Sequence, residues 1–305
     1  MSASSLAALR ALPWRVLRSG PGDGLTNMAT DLALLDHARR TGEATLRLYA
    51  WARPTLSLGR HERGRGVFDL RALRESGIDL VRRPTGGRAL LHDHEVTYAV
   101  AAPTAAGTLG ETYRAVNALL LAALRSLGVR VDEAARTSRG ARGGEGVRAD
   151  DAGHHPAPVT PLRPDGAPCF AEPSAGELVV DGAKLVGSAQ WRDGGAWLQH
   201  GSILLEDDQP RIATLRRSTT AGPADRSRPA SPSDASPHHP PVAPAATLRG
   251  ALGRDVAAAD VEAAIVAAFR TGLGAMVDLP ATALSGGDLR RHLEALADPT
   301  WVWRR

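Results

Sequence analysis

Two residue types are almost missing from this chain. Among 305 residues the 37 basic ones are 36 arginines and a single lysine, Lys184, and there is one cysteine, Cys169. A lone cysteine excludes an internal disulfide framework and a cysteine-built zinc knuckle, and it fits a reducing compartment. Aromatic residues make up 4% of the chain, so leucine, valine and alanine must fill whatever core its 43% hydrophobic content builds. No run approaches the roughly 20 apolar residues of a membrane span. Met1 to Pro13 has neither a long apolar stretch nor a cleavage-type pattern, so it reads as a frayed start, not a signal peptide. These absences lead to the expectation of a soluble, cytoplasmic protein without a membrane partner.

Arginine can stand in for lysine wherever only positive charge is wanted. It cannot where a compact ammonium on a flexible stem, with a tunable proton affinity, is needed. A single lysine surviving in an arginine-rich chain, fifteen positions from the single cysteine, therefore marks a candidate pair of nucleophile and helper. The net charge of +4 has a plain compositional source, since scattered arginines are balanced by 33 acidic residues. It also suits recruitment of an acidic partner. The arginines are not interleaved with aromatics as a base-stacking platform requires, so no nucleic acid is expected.

Hydrophobic spacing gives the elements. Met28, Leu32, Leu35 and Ala38 mark a helix after Asn27. Leu46 to Tyr49 and Thr55 to Leu58 read as strands around Pro54, and Asp69 caps a short helix that Gly77 stops. Ile78 to Val81, Ala89 to Leu91 and Val96 to Val100 read as strands. Thr108 and Glu111 form a capping box before a helix carrying Tyr113, Val116, Leu120 and Leu124, which ends at Gly128. Glu177 to Val180, Leu185 to Ala189 and Ser202 to Leu205 are further strands, and Val261, Ile265, Phe269 and Leu273 mark a last helix. Two stretches lack any apolar period. One, at 134–165, is rich in Arg, Gly, Pro and His and reads as an insertion; the other, at 219–246, is rich in Pro, Ser and Ala and reads as a flexible linker. The expected organisation is a catalytic domain over 14–218, that linker, and a small helical C-terminal tail over 247–305. The expected class is α+β, a mixed β-sheet flanked by helices.

Three segments carry chemistry. In Arg82 to Asp93, Gly86 and Gly87 stand between arginines. They form either a concave nest of backbone N–H groups with Arg83 supplying charge, or the tip of a hairpin with solvated arginines. It is not a phosphate-binding P-loop, because no Gly-Lys-Ser/Thr follows. His92 and His94 share a strand face and could join His200 around a metal, but such a pair is more often a hydrogen-bonding filler, so no metal is expected. Gly59 to Gly66 reads equally as a phosphate-gripping loop or a solvated basic loop. In the second segment, Pro168 and Pro173 bracket Cys169 in a stretch too polar for a core strand; the alternative is a small buried filler. In the third, Asp181-Gly182 signals a hairpin and Lys184 opens the returning strand. Gly187, Ser188 and Ala189 after it are small enough to let a ligand near the backbone. A solvated strand end is the bland alternative for Lys184.

The combination resembles the lipoate–protein ligase A and octanoyltransferase superfamily, which also contains biotin–protein ligases. The resemblance is carried by Asn27-Met28-Ala29-x-Asp31, Trp51-x-x-Pro54-x-x-Ser57-Leu58-Gly59, the Arg82-to-Asp93 segment, Lys184-Leu185-x-Gly187-Ser188-Ala189-Gln190-x-Arg192 and Leu198-Gln199-His200-Gly201-Ser202, in that order. It covers about residues 14 to 206, with the insertion between. Within the superfamily the chain is most like the cysteine-dependent octanoyltransferases of the LipM type. Arg88 stands where the ligases usually have a third glycine, and Cys169, Phe170, Pro173 and Ser174 match a Cys-Phe-x-x-Pro-Ser segment.

The resemblance implies an acyltransferase of protein lipoylation that needs no cofactor. Cys169 would take octanoyl from octanoyl–acyl carrier protein as a thioester, and a lysine of a lipoyl domain or of glycine cleavage H protein would then receive it. Lys184 would orient the acyl carbonyl and favour the thiolate. Gly86, Gly87 and Gly187 to Gln190 would wall an octanoyl tunnel, and Arg83, His92 and His200 would line its polar mouth. A monomer is expected. The runner-up is an ATP-dependent lipoate ligase, using ATP and Mg, with Lys184 on an adenylate phosphate and Cys169 a bystander; an arginine-rich nucleic-acid binder is more remote.

Overall fold

The computed structural model describes residues 3–104, 107–134, 169–170, 173–174, 176–217, 244–284 and 286–304. Apart from Ala134 and residues 244–246, the expected insertion and linker lie outside them. The chain runs through α1 (Ala3–Arg10), β1 (Trp14–Gly22), α2 (Gly24–Thr41), β2 (Ala44–Trp51), β3 (Thr55–Leu58), α3 (Leu70–Glu75), β4 (Asp79–Arg82), β5 (Leu90–His92) and β6 (Glu95–Pro103). It continues with α4 (Leu109–Ser126), β7 (Asp132–Glu133), β8 (Leu178–Val180), β9 (Ala183–Asp193), β10 (Ala196–Leu204) and a 3-10 turn at Gln209–Leu215. The last elements are α5 (Leu248–Leu252), α6 (Ala258–Leu273), β11 (Met276–Asp278), α7 (Gly286–Ala297) and α8 (Pro299–Val302).

Eight strands form one mixed sheet in the order β11-β1-β2-β6-β10-β9-β8-β7, and β4-β3-β5 form a second. Parallel pairs occur at β11-β1, β1-β2 and β3-β4, and the rest are antiparallel. The period-2 alternation of β2 divides its side chains between two cores. Leu46 and Leu48 pack with Val116, Leu120, Ile265 and Phe269 under α4 and α6, whereas Tyr49 and Trp51 pack with Met28, Leu34 and Leu35 of α2 and with Leu296 of α7. Helices on both faces of a mixed sheet are the α+β architecture that the sequence suggests. Among the described residues no helix is long and apolar enough to cross a membrane.

Local signals explain most boundaries. Thr108 and Glu111 make the reciprocal capping box of α4, and Asp69 accepts from the first amides of α3. Asp181 and Gly182 both have positive φ, 49° and 80°, as a tight two-residue hairpin turn demands. Three expectations are corrected. Asn27 does not start α2; Asp23 caps it, accepting from Thr26 N, and Asn27 lies a turn inside, donating to the carbonyls of Gly22 and Ala50. Gly86-Gly87 is not a hairpin tip, because β4 and β5 do not pair with each other but flank β3. And residues 247–305 are more than a helical tail: β11 extends the main sheet beside β1, and α6 and α7 complete its two cores.

Arg47 is the anomaly of β2, a guanidinium 1% exposed in a central strand. It bonds Asp31 at 2.6 Å, the carbonyl and side-chain oxygen of Asn27 at 2.8 Å each, and Ser19 at 2.8 Å, and it stacks on Tyr49. Burial alone would raise Asp31's proton affinity, but Arg47 and His200 together pull it below the usual carboxylate range. A folded value below the unfolded one means that the unfolded state binds the proton more readily, so this contribution is present at neutral pH and is lost as pH falls through the folded value. Asp31→Asn should therefore cost about 3–5 kcal/mol at pH 7, because it strands a buried guanidinium, and the gap from wild type should shrink as the medium is acidified. Urea unfolding at several pH values checks this; a gap that stays constant down to acid pH would contradict it.

Candidate active site

Cys169 and Lys184 meet. Lys184 is not a solvated strand end: it is 3% exposed, and its Nζ donates to Glu177 Oε1 at 2.7 Å and to the Cys169 carbonyl at 3.0 Å. The same nitrogen lies 3.6 Å from Cys169 Sγ. An ammonium so deep is costly without an anion. Glu177, itself buried, supplies one just before β8. Burial pulls Lys184 toward neutrality, but the negative charge of the Cys169 sulfur and of Glu177 outweighs it and holds the group above the ordinary lysine value. Lys184 is a cation at neutral pH.

Glu177 also fixes the cysteine segment, since its second oxygen accepts from Ser174 N at 2.7 Å. Cys169 sits in a half-buried turn, with its own N–H on Ala89 O at 3.0 Å. Phe170 then folds over β9. A Cβ on Gly187 would come within 2.9 Å of its ring, so only glycine fits there. Next along β9, Ser188 Oγ lies 2.7 Å from the Tyr98 hydroxyl, Ala189 faces His200 across the ladder, and the Gln190 and Gln199 amides meet at 2.8 Å. Gly201 is equally constrained, since a Cβ would sit 2.5 Å from Gly187 O and 2.8 Å from the Tyr98 ring.

The loop of Gly86 and Gly87 arches over the end of β3. A Cβ on Gly59 would collide with the Gly87 carbonyl, and Gly87 has φ of 99°. Gly86 opens onto free space. Arg83 braces this arch from inside, donating to Gly86 O at 2.9 Å, Arg88 O at 2.7 Å and Ser57 Oγ at 3.0 Å. His92 is stacked on Trp51 at 3.9 Å, with its ring nitrogens 2.8 Å from Glu95 and 2.8 Å from Ser57. His200 links Asp31, at 2.9 Å, to Thr85, at 2.6 Å, and burial lowers its proton affinity, so it is neutral at pH 7. Arg83, His92 and His200 are 5%, 5% and 6% exposed, so they brace the interior and do not line a mouth as expected.

His94 is apart from His92 and His200, exposed and 2.8 Å from Asp208, so the three histidines do not assemble around a metal. His94 does lie near Asp93 and Asp208, but Arg211 already bonds both carboxylates. The basic loop is only partly solvated: Arg60 stacks on Trp191 and Trp301, and Glu62 accepts from Gly59 N and Ala89 N.

Sequence reasoning missed Glu177 as a site residue. The Asp181-Gly182 turn pairs Val179 with Lys184, but the register shifts between Leu178 and Val179, so strand alternation alone does not bring Glu177 to the lysine. Asp31, Thr85 and Tyr98 were also missed; they bear on the site only through His200 and Ser188, across elements far apart in sequence.

Residues 23–270 match the family model of the lipoyl protein ligase A/B catalytic domain. The chain is 40% identical to an octanoyltransferase LipM of Kyrpidia tusciae, over 87% of this chain and 89% of that one. It is 39% identical to another of Symbiobacterium thermophilum, over 86% of each. Among solved structures, a lipoate-protein ligase A bound with ATP superposes with a TM-score of 0.66 at 18% identity, covering 96% of this chain and 99% of that one. A bipartite lipoate protein ligase of Thermoplasma acidophilum, studied with its E2 lipoyl domain, gives 0.65 at 18% identity, covering 96% of each. At that identity these two speak for the fold alone.

Because Lys184 is the only lysine, lysine-specific isotope labelling gives one side-chain signal. In the wild type it should titrate above the ordinary lysine value. In Glu177→Gln one negative neighbour is gone while burial stays, so the NMR titration midpoint should fall. An unchanged midpoint would show that Glu177 does not hold the charge.

Proposed function

The chain belongs to the lipoyl protein ligase A/B catalytic-domain family, and within it we propose an octanoyltransferase that works through a thioester on Cys169. The observation that carries this reading is the ammonium of Lys184 at 3.6 Å from Cys169 Sγ. The 40%-identical octanoyltransferase relatives support the reaction class.

The donor is octanoyl–acyl carrier protein and the acceptor is a lysine of a lipoyl domain or of glycine cleavage H protein. In the first step the Cys169 thiolate attacks the donor's thioester carbonyl, the carrier's sulfur leaves, and it takes a proton from water. In the second, the neutral amine of the acceptor lysine attacks the Cys169 thioester. The C–S bond breaks, the amine gives up a proton, and the Cys169 thiolate is restored. The thioester arrives activated, so the cycle calls for neither ATP nor a metal.

An ammonium has three N–H donors. Two are anchored, on Glu177 and on the Cys169 carbonyl, which leaves one directed at the sulfur. Once Sγ carries an acyl group it is no longer an anion. The third donor is then free to turn a short way to the carbonyl oxygen, where negative charge develops in each attack. The Cys169 N–H does not compete for this task, being held by Ala89 O. The arch of Gly86 and Gly87, with Gly187 to Gln190, is the proposed wall for the octanoyl chain.

The test is intact-mass analysis after mixing with octanoyl–acyl carrier protein and no ATP. Wild type should gain one octanoyl group that hydroxylamine removes, and Cys169→Ser should gain none. Lys184→Met should form the adduct about 100-fold more slowly, the usual loss for one oxyanion donor. Lipoate-stimulated pyrophosphate release from ATP that survives Cys169→Ser would sink the reading in favour of a ligase.

A further inference from the structure

The acyl-enzyme faces a hazard of its own making. Its thioester forms beside a lysine, and a lysine amine is what the second step uses as nucleophile. Lys184 Nζ stands 3.6 Å from the sulfur that carries the acyl group, far closer than any acceptor before docking. A free amine at that distance would benefit from the high effective concentration of a well-placed neighbour. Its lone pair would attack the thioester carbonyl, the C–S bond would break, the Nζ proton would pass to the Cys169 thiolate, and an octanoyl amide would remain on Lys184. Such an amide is stable, and it would remove the cation from the site.

We propose that Glu177 directs the acyl group outward, to the partner's lysine, by keeping Lys184 a hydrogen-bonded cation that has no lone pair to offer. The proposal rests on the thioester reading above. Its geometry is the 2.7 Å contact of Nζ with Glu177 Oε1 and the 3.0 Å anchor on the Cys169 carbonyl, which hold two N–H bonds and leave the third toward the sulfur. Glu177 is itself locked by Ser174 N at 2.7 Å, so it cannot swing away when the sulfur is acylated.

The need is sharpest at that moment. Two negative neighbours hold the proton on Lys184 against burial, the Cys169 sulfur and Glu177. Acylation neutralises the first. Among the described residues Glu177 is then the carboxylate left in contact. Among the described residues the other titratable groups that interact with this sulfur cannot replace it: Tyr113, on α4, is half-buried with its phenol pushed toward the neutral form, and Arg83 is itself a cation. Glu177 is thus a positioning residue for the acceptor step, acting through Lys184 and not on the substrate.

The experiment mixes octanoyl–acyl carrier protein with enzyme and no acceptor, then treats it with hydroxylamine, which cleaves thioesters and spares amides. Lys184 is the only lysine, so peptide mapping separates its adduct from one on the N-terminal amine. Wild type should release its octanoyl group. Glu177→Gln should accumulate hydroxylamine-resistant octanoyl on Lys184, at least about tenfold more over the same time, since each unit of lowered pKa multiplies free amine tenfold. Glu177→Asp should largely restore the wild-type pattern. A second arm uses the wild type alone, whose amide yield should climb as pH rises, because the fraction of free Lys184 amine rises with it. If neither wild type nor variant takes up octanoyl, the thioester reading fails. If both load Cys169 and the Glu177→Gln adduct stays fully hydroxylamine-labile, with no pH-dependent amide in wild type, this inference alone is overturned.

Discussion

A lone ammonium cannot be buried in a protein core without an anion beside it, and much of the site follows from that constraint. Desolvating a charge costs several kcal/mol unless attraction and hydrogen bonds return it. Lys184 meets the condition through Glu177 and the Cys169 carbonyl. Both partners lie outside the strands: Glu177 precedes β8, and Cys169 lies in a turn. The cation therefore ties down the segment that carries the proposed nucleophile. Phe170 follows, lying 5.2 Å from the same nitrogen and covering Gly187. A neutral residue at 184 would leave Glu177 and the turn without their common tether.

Two further buried polar chains do the same for the glycine arch. One runs from Arg47 through Asp31 and His200 to Thr85, and so joins α2, the main sheet and the arch. The other runs from Glu95 through His92 and Ser57 to Arg83, and so joins the main sheet to the small one. Buried networks of this kind add little net stability compared with well-packed apolar groups, but breaking one member is expensive. Their effect is to make one arrangement much better than its neighbours. The proposed wall for an acyl chain would benefit from that, because a one-residue slip in β5 or β10 would send His92 or His200 to the wrong face.

The parts of this fold legible in the sequence are those with local causes. The capping box at Thr108, the Asp69 cap, the Asp181-Gly182 turn and the four-residue spacing of α6 each rest on neighbours within a turn or two. The singular Lys184 and Cys169 were legible for a different reason, since an arginine-rich composition makes any retained lysine conspicuous. What the sequence hides is long-range. Gly86-Gly87 has the look of a hairpin tip until β3, about thirty residues earlier, inserts between β4 and β5. Strand β11 has three residues and no period of its own; it is a strand only because β1 offers a free parallel edge. Arg83, His92 and His200 read as polar and hence peripheral, yet each is buried because its partners lie on other elements. The apolar spacing begins after Asn27, yet Asn27 lies inside α2, where its side chain is taken by Arg47 and two carbonyls.

The far end of the chain bears on the site through the same logic of buried cations. Arg82 is fully buried and, among the described residues, hydrogen-bonds no carboxylate: its Nε donates to the carbonyl of Val302 in α8 and its Nη1 to those of Gly59 and Glu62 in the basic loop, while Nη2 has no partner among them. Trp301 returns the contact by donating to the Arg82 carbonyl at 3.0 Å. Glu62 in turn holds Ala89 N, and Ala89 O accepts from Cys169 N. A chain of hydrogen bonds thus connects α8 to the backbone of the proposed nucleophile. The residues after 298 touch this chain, although they lie outside the stretch that matches the family model. The position of the sulfur is set from two directions: by Lys184 and Glu177 on one side, and by the arch and its C-terminal brace on the other.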